Sequence, residues 1–548
     1  MSTYVNSKFG TIRLSKAADI AKVSTRGGFH LLWGLVASTV ISAVGTIFIA
    51  RLLGSDLYGL YGIALTAPTL IAIFRDWGIN SAMIRYAAQY RSEDRINEIR
   101  SIFISGLIFE IAAGLVLSVA SFALADFLAT TIFNRPEIAS LIQIASFTIL
   151  AGGLITAATA AFTGMEKMEL NSVMLISQST IKTFLVIILV VLGLGTSGAI
   201  IGYSISMLIS GLIGILLVSI LYKKLPKPST LKLEIKAYIN VMLKYGVPLS
   251  IAGIIGGFLI QFYAFLLPIY YATDNSVIGN YGIAVNFVVL IGFFATPITT
   301  MLFPAFSKLD PKKDKETLRN VFQYSVKYAA LLVVPVAALI MCLAEPAVST
   351  LFGVTYNSAP LFLALLAITY LYTAFGNLSI GNLLNSQGQT KINLYLTVLT
   401  AAIGFPTGYI LIMNFGALGL IITSLTVSIP SLIIGLRFIK EHYAVTVDWK
   451  SSAKILLSSA IAATLTYLIV TELTFASWIR LAIGVVIFAV FLVPAMLLTK
   501  VLTQSDIGNL REMTSNLGPV GKILNTILTL IEKLMSMLKL KPKMETAN

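Results

Sequence analysis

What this chain lacks narrows its function first. It has one cysteine, Cys342, in 548 residues, so no internal disulfide can form. Its two histidines, His30 and His442, lie far apart, and no Cys/His cluster has metal-ligand spacing. Neither a metal nor another cofactor is expected. Charged residues make up only 11% of the chain, against 57% hydrophobic, and the mean hydropathy is +0.89. A soluble core cannot hide that much apolar surface, so lipid must solvate it. Acid is scarcer than base, 24 Asp and Glu against 39 Lys and Arg, giving a net charge of +15. In a soluble protein that excess would point to nucleic acid, but here the basic residues sit in short loops between hydrophobic runs, which is a topology signal. Residues 1–28 are polar and basic, with no short apolar stretch and cleavage site, so the first hydrophobic run is expected to be retained.

About 20 apolar residues cross a bilayer. Such runs fall near 29–50, 57–77, 102–125, 138–162, 171–194, 198–221, 247–271, 279–303, 325–344, 358–384, 392–413, 416–438, 452–471 and 477–499. The expectation is an all-α membrane protein of about fourteen spans. Basic loops alternate with loops nearly free of base. Lys8, Arg13, Lys16, Lys22 and Arg26 precede the first span, Arg91, Arg95 and Arg100 follow the second, and Lys223 to Lys244 follow the sixth. The loops Lys308 to Arg319 and Arg437 to Lys454 fall on the same side, while the opposite side offers only Arg51, Arg135 and Arg480. The positive-inside rule then puts both termini in the cytoplasm.

The chain repeats itself. YGLYGIA at 58–64 and IGNYGIA at 278–284 superimpose Gly59, Tyr61 and Gly62 on Gly279, Tyr281 and Gly282, an offset of 220. Thr131–Phe133 resembles Thr350–Phe352, Gly164 and Lys167 resemble Gly388 and Lys391, and Gly198–Ala199 resembles Gly416–Ala417. Spans one to six therefore match seven to twelve. Because six is even, the two copies run parallel, with a transport path expected between them. The expected organisation is a cytoplasmic N-terminal segment (1–28), an N-lobe (29–221), a cytoplasmic linker (222–246), a C-lobe (247–438), two appended helices (452–499) and a cytoplasmic tail (500–548). In that tail Ile507, Leu510, Met513, Leu517 and later apolar residues recur every three or four positions, as in an amphipathic helix on the inner leaflet.

The stretch RLLGSDLYGLYG at 51–62, then Trp77-Gly78-Ile79, Ile84-Arg85-Tyr86 and Leu351-Phe352-Gly353 with Tyr356 and Ala359, resembles the polysaccharide-biosynthesis (Wzx-like) flippases. These form a branch of the multidrug/oligosaccharidyl-lipid/polysaccharide (MOP) exporter superfamily. The resemblance covers most of the chain and implies a two-lobed, MATE/MOP-like carrier that moves a polyprenyl-(pyro)phosphate-linked glycan from the inner to the outer leaflet by alternating access. It also implies a cationic cavity lined partly by the first two helices of each lobe.

Charges inside spans are costly, about 2.5–3.5 kcal/mol each on insertion scales, so they mark candidate sites. Glu110 and Lys182 both fall roughly 12–17 Å below the cytoplasmic surface at 1.5 Å per residue, on parallel spans, where they could pair or couple ions. Arg75, Asp76 and Arg85 cluster at the cytoplasmic half of the second span, near Pro68 and Gly78. A guanidinium fork suits phosphate oxygens, so Arg75 and Arg85 are candidate head-group contacts. Arg26 and Arg51 bracket the first span as candidate contacts on either side, and Arg51 with Asp56 could equally cap a short turn. Tyr263, Tyr270, Tyr271 and Tyr281 are placed to stack on sugars or to form an interfacial belt, and Gly253, Gly256 and Gly257 to let a helix bend or pack closely.

Two other functions compete. A drug or organic-cation antiporter of the same superfamily needs acid facing its cleft, yet the first, seventh and eighth spans hold no Asp or Glu in their interiors. A membrane enzyme of the same glycan pathway needs a base or metal on sizeable polar loops, and Asp126, Glu137, Asp274, Glu345 and Glu472 are scattered singly. A flippase fits best, with a lipid-linked oligosaccharide as substrate, membrane lipids around it and pathway glycosyltransferases as possible partners in a prokaryotic cell membrane.

Overall fold

The computed structural model describes residues 5–224, 234–271, 274–504, 506–508, 511, 525–526, 529 and 532–533, without the side chains of 5–30, 32 and 293–305. Among the described residues every regular element is helical. In chain order these are α1 (Val5–Ala72), α2 (Ile79–Ser92), α3 (Ile96–Phe127), α4 (Ala139–Gly164), α5 (Met168–Leu189), α6 (Gly195–Lys224), α7 (Ile235–Tyr270) and α8 (Asn275–Ser307). There follow α9 (Lys315–Cys342), α10 (Ala344–Leu351), α11 (Ala359–Ala367), α12 (Asn377–Ser386), α13 (Thr390–Thr426), α14 (Ser428–Tyr443), α15 (Trp449–Glu472) and α16 (Ser477–Leu498). In lipid a helix satisfies its own backbone, which is why apolar runs of this length take this form.

Ten of the described stretches are long and apolar enough to cross a membrane, or eleven if Ala359–Phe375 and Asn377–Ser386, bent by 51°, count as one. Three of the ten, Trp33–Ala72, Met168–Lys224 and Thr390–Tyr443, run to 40, 57 and 54 residues. Each is interrupted at a glycine with positive φ: Gly54 (70°), Gly193 and Gly195 (89° and 50°), and Gly416 (56°). A left-handed residue ends a helix and turns the chain, and glycine alone adopts it without a Cβ penalty.

The duplication is visible in the backbone. Asn134 and Gly353, 219 positions apart, both have positive φ, as do Glu166 and Gly388 (222 apart) and Gly195 and Gly416 (221 apart). Gly195 (φ 50°, ψ −133°) and Gly416 (φ 56°, ψ −126°) share one rare conformation. The backbone thus pairs Gly416 with Gly195, and Gly388 with Glu166, shifting the sequence match by two or three positions. Matching by residue identity followed Gly-Ala and Gly-x-x-Lys, whereas the recurring physical requirement is the turn.

The chain divides into two compact units, Met1–Ile283 with Thr397–Thr423, and Ala284–Leu396 with Ser424–Asn548. In the first, α4 is the central helix. Its buried face is mostly small, including Ala145, Ala151, Gly152, Gly153, Ala157, Ala158 and Ala161, which lets neighbours approach closely where no hydrophobic force acts between helices in lipid. The seam between α1 and α5 works likewise, with Gly34 against Ser172 and Gly45 against Thr183. In the second unit α9 is central. Phe322, Val326 and Ala329 pack on Ile380, Leu383, Ile439 and Tyr443, and Ala338 packs on Ala462 and Phe488. Phe352, Tyr356 and Ala359 of the resemblance stretch are buried in this unit, so they serve packing.

Candidate functional site

The helix that carries the predicted basic cluster does not continue. α1 ends at Ala72, residues 73–78 are irregular, and α2 starts after Gly78, which is left-handed (φ 80°). A Cβ on Gly78 would run into the Gly246 carbonyl, and one on Gly246 into the Gly78 and Trp77 carbonyls. Two glycines thus let this break lie directly on α7. Asp76 sits in it and its Oδ1 accepts from the Asn80 backbone N–H at 3.3 Å, capping the first turn of α2.

Arg75 points inward from the break and is 9% exposed. Its Nε donates to Glu110 Oε2 at 2.9 Å, its Nη1 to the Ile149 carbonyl at 3.1 Å and its Nη2 to Thr156 Oγ1 at 3.2 Å. Asn80 Nδ2 donates to the other Glu110 oxygen at 2.7 Å. Gly152 and Gly153 leave room for the pair, since Cβ atoms there would press on Arg75 and Glu110. Glu110 is fully buried. Its partner is therefore Arg75, where the sequence suggested Lys182, and the reason is the break: an unwound segment can fold its arginine back towards α3 and α4, which a continuous helix could not. With three donors engaged internally, Arg75 is a closure of this cluster and not an open phosphate ligand.

The other candidates stand apart from it. Arg85 is exposed and lies over the Tyr245 ring at 4.2 Å and near Tyr86 at 5.6 Å. Stacking uses the face of a guanidinium and leaves its in-plane N–H groups available. Lys182 lies 5.5 Å from the Tyr203 ring, and among the described residues no carboxylate is within ion-pair distance of it. Tyr203 continues to Tyr61 and Tyr58 through ring contacts at 6.4 and 5.9 Å. Arg51 is exposed beside the Gly54 turn. The Arg26 side chain and most of the 500–548 tail lie outside the described residues.

The tyrosines are used for packing in this conformation. Tyr263 fills the space left by Gly404 and Gly408, and Tyr271 packs on Gly416. No described atom lies within 4 Å of where a Cβ on Gly253 or Gly257 would stand. Among the described residues no group of three or more His, Cys, Asp or Glu could hold a metal.

Sequence reasoning missed Arg135, which it counted only as a loop residue. It is 2% exposed. Its Nε donates to Asn275 Oδ1 at 2.9 Å, Nη1 to the Phe133 and Pro268 carbonyls at 3.2 and 2.8 Å, and Nη2 to the Tyr271 carbonyl. The available signal was a lone arginine in loops otherwise almost free of base.

A profile of the polysaccharide biosynthesis protein family matches residues 24–310, and a MatE profile matches residues 260–410. The chain belongs to the polysaccharide biosynthesis protein family. The lipopolysaccharide biosynthesis protein WzxC of Escherichia coli K12 is 25% identical over 410 residues, 73% of this chain and 78% of that protein. Among solved structures, the lipid II flippase MurJ in an inward closed conformation matches with a TM-score of 0.66 at 17% identity, covering 84% of this chain and 96% of that one. An inward-facing multidrug resistance MATE transporter of the MOP superfamily matches with a TM-score of 0.57 at 17% identity, covering 74% and 95%. This family member is thus a multi-pass membrane protein that shares the fold of the MurJ and MATE structures.

Proposed function

We propose that the protein flips a polyprenyl-(pyro)phosphate-linked oligosaccharide from the inner to the outer leaflet of a prokaryotic plasma membrane. It would use fourteen spans, two parallel six-helix lobes and cytoplasmic termini, and would work beside the glycosyltransferases that build the glycan. The observation that carries the reading is polarity. Among the described residues the carboxylates of this cluster are Glu110, which Arg75 pairs, and Asp76, which holds the Asn80 backbone N–H, whereas Lys182 and Arg85 lie against aromatic rings with no carboxylate within ion-pair distance. Unbalanced positive charge in a membrane protein favours an anionic cargo. WzxC by its name serves lipopolysaccharide biosynthesis and MurJ flips lipid II, which supports the same class.

In this mechanism the anionic head group enters from the cytoplasmic side, meets Arg85 and then Lys182, and leaves its lipid tail in the bilayer. Arg26 and Arg51 are the proposed contacts at the two ends of the first span. With a potential negative inside, outward movement of negative charge gains roughly 2.3 kcal/mol per charge per 100 mV when the carrier returns electroneutrally.

The MatE match keeps a cation antiporter as the second reading, and proteoliposomes separate the two. Transfer of a fluorescent polyprenyl-diphosphate oligosaccharide between leaflets should occur with the parent and fall at least about tenfold for Arg85→Ala, the loss expected when a charged contact worth about 1.5–3 kcal/mol goes. Efflux of organic cations without lipid transfer would decide for the antiporter.

A further inference from the structure

We infer that Arg135 is a positioning residue of the transport cycle: it holds the outer end of α7 closed, and its release is the step that lets that end open. The word outer rests on the orientation proposed above. Arg135 reaches four oxygens, and three of them, on Pro268, Tyr271 and Asn275, belong to the end of α7 or the start of α8. The last carbonyls of a helix have no partner within it and carry the negative end of its dipole. A buried guanidinium satisfies them and is satisfied by them. Asn134, with φ 53°, turns the chain just before Arg135, and Phe133 packs on Phe265 of α7 at 5.1 Å.

The seam continues from there. Asn275, whose side chain accepts from Arg135, also lays its backbone carbonyl on Gly59, and Gly59 lies on Gly279. The closure is therefore one contact line of Arg135, Asn275, Gly59 and Gly279. Among the described residues no carboxylate lies within ion-pair distance of Arg135; Asp56 and Glu137 act on it from further away. Neutral acceptors suit a fastening that must release: a buried carboxylate would leave two uncompensated charges on opening, whereas carbonyls exposed at an opened end are taken up by water.

The test reads the two sides of the membrane separately and needs no transported lipid, so failure of the flippase assay would count against the proposed function alone. Gly62 lies one turn from Gly59, and a Cβ there meets nothing within 4 Å. Gly62→Cys in a Cys342→Ser background is labelled in intact cells with a membrane-impermeant maleimide, and in inverted vesicles from the other face. Arg135→Ala should speed labelling from outside by about tenfold or more, the population shift expected from losing a charged hydrogen-bond set, and slow it from inside. Arg135→Lys, which keeps the charge without the fork, should fall between. Asn275→Ala, which removes one acceptor, should shift labelling the same way by less, and it serves where Arg135→Ala does not fold. Rates unchanged from outside in folded variants, or raised equally from both faces, would overturn the inference.

Discussion

Gly59 and Gly279, 220 positions apart and equivalent in the internal repeat, lie backbone to backbone. A Cβ on Gly59 would strike the carbonyl of Asn275, and one on Gly279 would strike the carbonyl of Ser55, while each Cβ would come within 3.1 Å of the other glycine's nitrogen. Ser55 precedes Gly59 by four residues and Asn275 precedes Gly279 by four, so the contact is reciprocal.

Neither position accepts a methyl group. Gly59→Ala and Gly279→Ala should each destabilise the protein by about 1–3 kcal/mol, the usual cost of overpacking. Gly62→Ala, with open space at its Cβ, should leave the apparent melting temperature in detergent unchanged or slightly higher. If Gly59→Ala melted with Gly62→Ala and not below it, the close approach would be wrong.

The Arg75–Glu110 pair makes a different kind of prediction. Removing one member of a buried pair strands the other charge, at about 3–5 kcal/mol, whereas replacing both by apolar residues is far milder. Arg75→Met and Glu110→Met should each lose most folded protein, and the double variant should recover a good part of it in fluorescence-detected size exclusion. A double variant poorer than either single one, with the two losses adding, would mean the two side chains act separately.

Much of this was legible in the residues. An all-helical chain with many membrane-crossing helices follows from hydropathy, a property of the chain against its solvent, and the YG repeat points to the turns that recur in the backbone. Pairing was not. Glu110 and Lys182 stood at equal depth on parallel spans, and depth was all that the sequence offered. The partner was fixed by the irregular segment 73–78, whose cause is a contact between Gly78 and Gly246, 168 positions apart. Arg135 offered only the signal of a base in a loop almost free of base, for the same reason: a loop arginine and a helix end become a site only when the fold brings Pro268 and Tyr271 to it.

Lys182 should trade stability for activity. An ammonium within a span, with no carboxylate in ion-pair distance among the described residues, is costly, about 2.5–3.5 kcal/mol on insertion scales, so Lys182→Met should raise the apparent melting temperature. If the lysine meets the anionic cargo, the same variant should slow lipid transfer. A lower melting temperature would instead reveal a structural partner for the ammonium.

Asp448 gives a pH dependence with a defined sign. It caps α15, accepting from the Lys450 and Ser451 backbone N–H groups at 3.2 Å each and from Ser451 Oγ. Burial alone would raise its pKa, but the hydrogen bonds from Ser451 and Lys450, with the charge of Lys327, outweigh it and hold the carboxyl below its ordinary 3.8. A depressed carboxylate contributes its stability in full above the ordinary value and loses it as pH falls through the lowered one. Asp448→Ala should therefore cost about 1 kcal/mol at neutral pH, and the difference between parent and variant should shrink as pH falls through the lowered value, as read by hydrogen exchange at the start of α15.

Asp506 ties the segment after α16 back to α9, and the consequences can be followed through single groups. Lys327 Nζ reaches Asp506 Oδ2 at 2.6 Å and Tyr328 Oη donates to Oδ1 at 3.2 Å. Thr503 and Asp506 bond reciprocally, backbone N–H to side chain in both directions, the pattern of a capping box that starts a helix. The carboxylate is 2% exposed, so Asp506→Ala removes a cap and strands Lys327 together. The expected cost is about 3–5 kcal/mol, as for any buried pair halved. Asp506→Asn keeps one acceptor oxygen, enough for the Thr503 cap, and loses the charge, and should cost less. Lys327→Met should rescue Asp506→Ala in part, because it removes the stranded ammonium while the lost cap remains. Full rescue would reduce the site to its ion pair. No rescue would place its whole value in the cap, leaving Lys327 solvated without Asp506.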